Sequence, residues 1–111
     1  MKVKEIAETM KMDMTASAGA DKEVKGVYAG DLLSRAMSGC QPSEAWVTVL
    51  THPNILTVAE LNGAACVIVS DGVSVNAATV EKALEKDIPI LSSSMKTYEI
   101  CWRLHEIMDR K

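Results

Sequence analysis

The chain has 111 residues, a formal net charge of −3, 48% hydrophobic residues and 24% charged residues, which is typical of an ordinary globular protein. This length supports one hydrophobic core, so we expect a single domain over residues 1–111. No apolar run approaches the roughly 18 residues of a membrane span, and the basic residues form no cluster. These two features argue against a membrane protein and against nucleic-acid binding.

The N-terminal segment carries Glu5 and Glu8 where a secretory signal would have an uninterrupted apolar stretch. The three cysteines, Cys40, Cys66 and Cys101, are odd in number, widely spaced and contain no CxxC pair. Such a pattern is typical of reduced thiols rather than of a disulfide framework or a zinc site. We therefore expect a cytoplasmic protein without a metal or another cofactor.

Two elements are predicted at the start of the chain. Val3, Ile6, Ala7 and Met10 recur at i, i+3, i+4 and i+7, which is the pattern of one helical face. In residues 12–16, apolar and polar residues alternate, which is the period of a half-buried strand. This helix and strand are expected to add an edge to the main sheet.

A second strand is predicted over residues 24–29, followed by a helix that starts near Leu32. Asp31, or Gly30 before it, is expected to cap the first N–H groups of this helix. Gly39 is placed to end the helix.

Three units of strand plus helix follow at nearly equal spacing. The predicted strands cover residues 46–50, 65–69 and 88–91, and the helices that follow them cover Asn54–Asn62, Ala77–Lys86 and residues 95–109. This alternation predicts an α/β fold, a small three-layer domain with a mainly parallel sheet and helices on both faces. An all-helical bundle is the alternative, and Pro89 and the β-branched runs disfavour it.

Polar residues follow each of these three strands. Because the carboxyl ends of parallel strands share one edge of the sheet, these residues are candidate ligand-binding groups. They are Thr51, His52 and Asn54, then Ser70, Asp71 and Gly72, then Ser92, Ser93, Ser94 and Lys96. Each set precedes a helix start, where free N–H groups favour an anion, so a small anion or a nucleotide is the candidate ligand.

Helix capping alone is the competing interpretation of the same residues. Ser, Thr and Asn are common caps, and proline is common at the first helical position. The pairs that fit this pattern are Thr51 or His52 before Pro53, Asn76 before Ala77, and Ser93 or Ser94 before Met95.

No catalytic residue is assigned from the sequence, because no nucleophile has a complete set of activating partners. We therefore expect a non-catalytic regulatory or interaction module. The alternative hypothesis is a small enzyme in which His52 acts as acid or base and Asp71 orients it. A purely structural subunit of a larger complex is a third hypothesis.

The stretch from Ala20 to Ser34, ADKEVKGVYAGDLLS, resembles the opening signature of the DRTGG domain family. Later segments of that family are similar to VLTHPNI, from Val49, and to PILS, from Pro89. The matching signature residues are Asp21, Lys22, Gly26, Tyr28 and Asp31. The literal Asp-Arg-Thr-Gly-Gly string is not present, since Lys22 follows Asp21.

The resemblance implies a fold similar to the N-terminal domain of HPr kinase/phosphorylase. Members of the family occur alone, beside CBS domains in pyrophosphatases, or in phosphate acetyltransferases. The resemblance therefore implies a small accessory or regulatory module with a partner enzyme, and it implies no common reaction.

The last helix has an apolar arc wider than one sheet face requires. Tyr98, Trp102 and His105 lie toward one margin of this arc, and we expect them to form a homodimer interface. The alternative is that the helix is buried between the sheet and the N-terminal helix. Cys101 and His105 share a helical face, but two ligands are too few for a typical zinc site.

Overall fold

The computed structural model describes residues 1–109, and it has an α/β fold. The helices in this range are α1 (Val3–Thr9), α2 (Leu33–Gly39), α3 (Asn54–Asn62), α4 (Ala77–Lys86) and α5 (Thr97–Asp109). The strands are β1 (Asp13–Ala16), β2 (Gly26–Ala29), β3 (Glu44–Thr48), β4 (Cys66–Val69) and β5 (Ile90–Ser92).

The strands form one sheet in the order β1-β5-β4-β3-β2. Strands β2 to β5 are parallel neighbours, and β1 is antiparallel to β5 at one edge. The parallel strands follow each other in chain order, so right-handed crossovers of the same sense place α2, α3 and α4 on one face. Helices α1 and α5 cover the other face, which confirms the predicted layers.

Side chains alternate between the two faces along each central strand, because the side-chain period of a strand is two. Trp46, Val67 and Ile90 belong to the core under α2, α3 and α4. Val47 and Ile68 belong to the core under α1 and α5. All residues of β4 are buried, as expected for a strand covered on both faces.

Strand β1 forms one edge of the sheet, as expected, whereas α1 packs on a face of the sheet. The first N–H groups of α1, those of Val3 and Lys4, donate to the carbonyls of Lys22 and Ala20 at 3.0 Å. These contacts satisfy donors that have no partner within the helix. Helix α5 lies against β2 and β3 on the same face of the sheet.

The predicted N-cap of α2 is wrong, and its predicted end at Gly39 is confirmed. The N-cap is Leu32, without a side-chain hydrogen bond, whereas Asp31 Oδ1 accepts from Thr48 Oγ1 and from Val49 N, each at 2.9 Å. Asp31 lies two residues after the end of β2, so the end of the neighbouring strand β3 is within its reach. Gly39 is the last helical residue, and the C-cap that follows it, Cys40, has an extended backbone. A Cβ there would lie 2.7 Å from the Tyr28 ring, so glycine permits close packing.

Several boundaries are shifted from their predicted positions. Strands β1, β2 and β4 begin one or two residues later than predicted, at Asp13, Gly26 and Cys66. Strand β3 is Glu44–Thr48 instead of residues 46–50. Strand β5 begins at Ile90 rather than at residue 88, and Pro89 before it has no N–H to donate to a ladder. Helix α5 begins at Thr97, since the preceding segment forms a hydrogen-bonded turn.

Across residues 1–109, none of the helices combines the length and the apolar character that a membrane crossing requires.

Candidate functional site

The loops after β3, β4 and β5 leave the sheet at one edge. These strands are adjacent and parallel, with Trp46 paired to Val67 and Val67 paired to Ile90. The shared edge that the sequence predicts is therefore present. The side chains on the three loops, however, have different partners.

The first loop forms a helix start. His52 Nδ1 accepts from the N–H of Asn54 at 3.1 Å, and the carbonyl of Thr51 accepts from Thr79 Oγ1. The His52 side chain is exposed and makes no hydrogen bond to Asp71 within residues 1–109. The structure thus gives His52 a capping contact and does not join it to the carboxylate that the enzyme hypothesis requires.

The second loop leaves the sheet through a buried residue and a tight turn. Ser70 is fully buried, and its hydroxyl is 2.9 Å from that of Thr97. Asp71 and Gly72 follow with left-handed backbones, at φ 62° and φ 68°. Ser70 therefore holds the start of α5 rather than facing a ligand.

A cleft of about 670 Å³ lies at the same edge, between the ends of β4 and β5 and the start of β1. We call it the edge cleft. It is lined by residues 10, 11, 13 and 15 before and in β1, by residues 72–75 after β4, and by residues 92–95 after β5. Its volume is within the usual range of small-molecule sites, about 300–1,000 Å³.

Part of the predicted site lines the edge cleft, namely Gly72 from the second set and Ser92, Ser93 and Ser94 from the third. The others, Thr51, His52, Asn54, Ser70, Asp71 and Lys96, are not among its lining residues.

The sequence analysis missed the contribution of β1 to the edge cleft. Because β1 is antiparallel to β5, its first residue, Asp13, pairs with the last residue of β5, Ser92. The amino end of β1 therefore meets the carboxyl ends of the parallel strands. The signal in the sequence was the set of polar residues that alternate with the apolar ones, Lys11, Asp13 and Thr15. Alternation alone indicates only the exposed face of a half-buried strand.

Hydrogen bonds hold the walls of the edge cleft together. Asp71 N donates to the carbonyl of Met95, and Gly72 N donates to that of Ser93, each at 2.9 Å. The Ser93 hydroxyl accepts from Met95 N at 3.0 Å. These bonds tie the β4–α4 loop to the β5–α5 loop, so the wall is preorganised for a ligand.

The two charged residues of the edge cleft, Lys11 and Asp13, have opposite signs. Both are exposed, and neither makes an ion pair or a side-chain hydrogen bond to any other described residue. Lys11 has a left-handed backbone, with φ 54°, a conformation that costs a lysine more than a glycine. Both charged groups are available to a ligand.

In the edge cleft, the Ser92 hydroxyl is 2.6 Å from that of Thr15, and no histidine is among the described residues that line the cleft. Among the described residues, no group of three or more His, Cys, Asp or Glu side chains is arranged to hold a metal ion.

The residues that carry the DRTGG resemblance make structural contacts. Asp21 pairs with Lys4 at 2.7 Å, and this ion pair lowers the pKa of the exposed Asp21 carboxyl. Lys22 Nζ donates to the carbonyl of Asp87. The Tyr28 ring packs against glycine backbone, and a Cβ at Gly26 would lie 2.9 Å from a Glu44 oxygen. The signature residues therefore hold their own segment of the chain against the segments that pack beside it.

The predicted interface residues lie on the exposed part of α5. Tyr98 is 79% exposed and Trp102 is 43% exposed, and the Arg103 guanidinium lies 5.2 Å from the Trp102 ring centroid. His105 is exposed, so it is not packed inside this chain. Ile100 and Leu104 form the buried side of the helix.

Burial raises the pKa of all three thiols. The pKa of Cys40 rises to about 11 and that of the fully buried Cys66 to about 12. These thiols stay protonated at neutral pH, which makes them poor nucleophiles.

We predict that the protein loses stability in alkali because of the Cys66 thiol. Burial raises the pKa of this thiol to about 12 in the folded state, whereas its pKa is about 8.5–9 in the unfolded state. The unfolded state therefore loses its proton first, and stability falls as the pH rises from about 9 toward 12. At pH 10 we expect a loss of about 1 kcal/mol from this thiol.

Urea unfolding at pH 8 and pH 10 measures this loss. The Cys66→Ala variant is the control, because it lacks the titrating group and its free energy of unfolding should fall by about 1 kcal/mol less over this interval. Equal falls in the two proteins would show that Cys66 does not titrate as expected.

Comparison with known proteins supports the fold. No protein-family model matches the chain, and no curated protein matches it. Among solved structures, it is similar to the CBS and DRTGG domains of the regulatory region of a Clostridium perfringens pyrophosphatase, determined with the activator diadenosine tetraphosphate. The TM-score is 0.71 at 11% identity, over 89% of this chain and 44% of that chain. The chain thus has a DRTGG-like fold and spans less than half of that structure.

Proposed function

We propose that this protein is a non-catalytic regulatory module of the DRTGG family, a single domain that binds a small phosphorylated ligand in the edge cleft. The observation that carries the proposal is the cleft itself, whose volume of about 670 Å³ suits a nucleotide-sized molecule. The similar pyrophosphatase region binds a nucleotide activator, which supports a nucleotide as the ligand here and an enzyme as the regulated partner.

The groups lining the edge cleft support recognition of a phosphate. Lys11 provides a free cation, and Ser74 and Ser94 provide exposed hydroxyls that have no side-chain hydrogen bond to the described residues. Phosphate oxygens accept strongly from such donors. The segments at Val75 and Met95 lead into α4 and α5, and helix N-termini favour an anion.

A thermal-shift screen over phosphate, nucleotides and phosphorylated sugars tests the proposal. A ligand present at 100 times its Kd stabilises the folded state by about 2.7 kcal/mol, which is easily measured. If no phosphorylated ligand raises the melting temperature even at millimolar concentration, the ligand-binding function is excluded and an interaction role remains.

We predict that Lys11→Gln weakens binding of any ligand found in this screen by about tenfold, since it removes one charge-assisted contact worth about 1.5 kcal/mol. Isothermal titration calorimetry measures the change. Arg35→Gln is the matched control, because Arg35 is an exposed cation on α2 that does not line the edge cleft. Equal losses in the two variants would indicate a general effect of charge.

A second variant at the same position tests whether unfolding, rather than the loss of the lysine charge, causes the weaker ligand binding. Because Lys11 has φ 54°, Lys11→Gly relieves a left-handed strain of up to about 1 kcal/mol. We expect this variant to melt at a higher temperature and still to bind the ligand more weakly.

We also propose that Tyr98, Trp102 and His105 form a homodimer interface. Two large aromatic side chains on one exposed helical stripe support this, because aromatic residues are enriched at interfaces. We expect a dimer at about 100 µM and a monomer for Tyr98→Glu, since a buried unpaired charge is costly. Light scattering with size exclusion measures the mass.

The control is Leu61→Glu, which introduces the same charge at a site that is 72% exposed on α3, a helix on the other face of the sheet. This variant should remain dimeric. A wild-type protein that is monomeric at about 100 µM would remove the dimer proposal.

A further inference from the structure

The charge balance of the edge cleft restricts the kind of ligand that it accepts. Its lining has a single cation, Lys11, and a single carboxylate, Asp13. A polyphosphate binds where several cations or a metal ion offset its charge, and residues 1–109 provide no metal cluster. The lining is therefore suited to a ligand with a single phosphate group and not to a chain of phosphates.

The position of Asp13 adds a second restriction. A carboxylate only accepts hydrogen bonds at neutral pH, and it repels a phosphate. Asp13 has no partner among the described side chains, so its acceptors are open to ligand donors. A ribose 2′,3′-diol is such a donor pair, and carboxylates bind ribose hydroxyls in this way in other nucleotide sites.

Lys11 and Asp13 are close enough to contact one small ligand at two points. They are two residues apart, so their Cα atoms are separated by at most about 7 Å. A 5′-phosphate and a 2′,3′-diol on the same ribose are spaced on this scale. The apolar side chains of Met10, Val73, Val75 and Met95 also line the cleft and offer a surface for a base.

We propose that the edge cleft selects a nucleoside 5′-monophosphate over a nucleoside polyphosphate, with Lys11 at the phosphate and Asp13 at the ribose diol. This inference rests on the proposed ligand-binding function and narrows it to one class of ligand. It also sets this chain apart from the similar pyrophosphatase region, whose activator carries four phosphates.

Calorimetry with the full chain tests the selection. The probes are the four common nucleoside 5′-monophosphates, their triphosphates, the 2′,3′-dideoxy form of the best monophosphate, inorganic phosphate and diadenosine tetraphosphate. We expect the monophosphate to bind at least tenfold more tightly than its triphosphate. We expect the same difference from its dideoxy form, which cannot donate hydrogen bonds to the Asp13 carboxylate.

Asp13→Asn separates the diol contact from a general charge effect. We expect this variant to weaken binding of the monophosphate by about tenfold. Binding of inorganic phosphate and of the triphosphate should be unchanged or tighter, because a repulsive charge is removed. Glu8→Gln is the matched control, since Glu8 is exposed on α1 and does not line the edge cleft.

The outcomes distinguish this inference from the function on which it rests. Tighter binding of triphosphates, equal binding of the dideoxy form, or an unaffected monophosphate in Asp13→Asn would overturn the inference and leave a phosphate-binding module. Binding of phosphorylated sugars or phosphate without binding of nucleotides would do the same. If no probe binds, the inference and the ligand-binding function both fail.

Discussion

Gly19→Ala is expected to lower the free energy of unfolding by about 3 kcal/mol, as an overpacked site in a strained backbone does. Gly19 has φ +83°, and a Cβ on it would lie 2.2 Å from the carbonyl oxygen of Asp87. No real Cβ contact is that short, so the backbone of one loop must move. Lys22 Nζ donates to the same oxygen, so the shift would also disturb this bond.

Gly63→Ala is the matched control for this prediction. Gly63 also has a left-handed backbone, with φ +68°, but the nearest atom to its added Cβ is Pro42 Cβ at an ordinary 3.6 Å. This variant should lose only the conformational part, about 1 kcal/mol. Urea denaturation of both variants measures the difference. If the two losses are equal, the contact between the Gly19 loop and Asp87 is not rigid.

Asn62→Asp is expected to cost about 3 kcal/mol at pH 7, because it replaces a donor by an acceptor at a half-buried position. The Asn62 side-chain N–H groups donate to three carbonyls at the end of α2, those of Ala36, Met37 and Cys40, at 2.9–3.0 Å. A carboxylate at the same place would repel all three oxygens, and the Ala36 carbonyl would keep its other donor, Cys40 N.

The loss caused by Asn62→Asp should depend on pH. Only the protonated acid donates to a carbonyl, so the folded state raises the pKa of the introduced carboxyl above its unfolded value of about 3.9. Stability relative to wild type is then highest below that value and falls as the pH rises through the raised pKa. Unfolding at pH 3.5 and at pH 7 measures this.

Asn76→Asp is the control for the same chemical change. Asn76 Oδ1 accepts from Thr79 N at the start of α4, and aspartate caps a helix as well as asparagine does. This variant should retain its stability at pH 7. A cost at Asn62 no larger than the cost at Asn76 would show that the three carbonyls do not depend on the amide.

The local elements of this protein were determined by short-range patterns. The ranges of α3 and α4 were predicted to the residue, because a cap or a proline precedes each helix and the apolar spacing continues to its end. The cap at Asn76 is confirmed. The fold class followed as well, since strands such as β4 are continuously apolar and alternate with helices.

Predictions that depended on a distant partner were less successful. Asp31 was predicted to cap a helix. Its carboxylate instead accepts hydrogen bonds from Thr48 and Val49, which are 17 and 18 positions further along the chain. Gly39 was predicted to end α2, which is confirmed, but its close packing against the Tyr28 ring was not predicted. Local sequence describes which contacts a residue can make, and packing selects among them.

The edge cleft shows the same division between sequence and tertiary structure. Sequence alone identified Ser92, Ser93 and Ser94, because polar residues after a buried strand lie at the carboxyl edge of a parallel sheet. It did not identify Lys11 and Asp13, since their place depends on β1 pairing antiparallel to β5, nearly 80 positions along the chain. Such long-range pairing is decided by the packing of the sheet edge. The local pattern indicated a half-buried edge strand but neither its partner strand nor its direction.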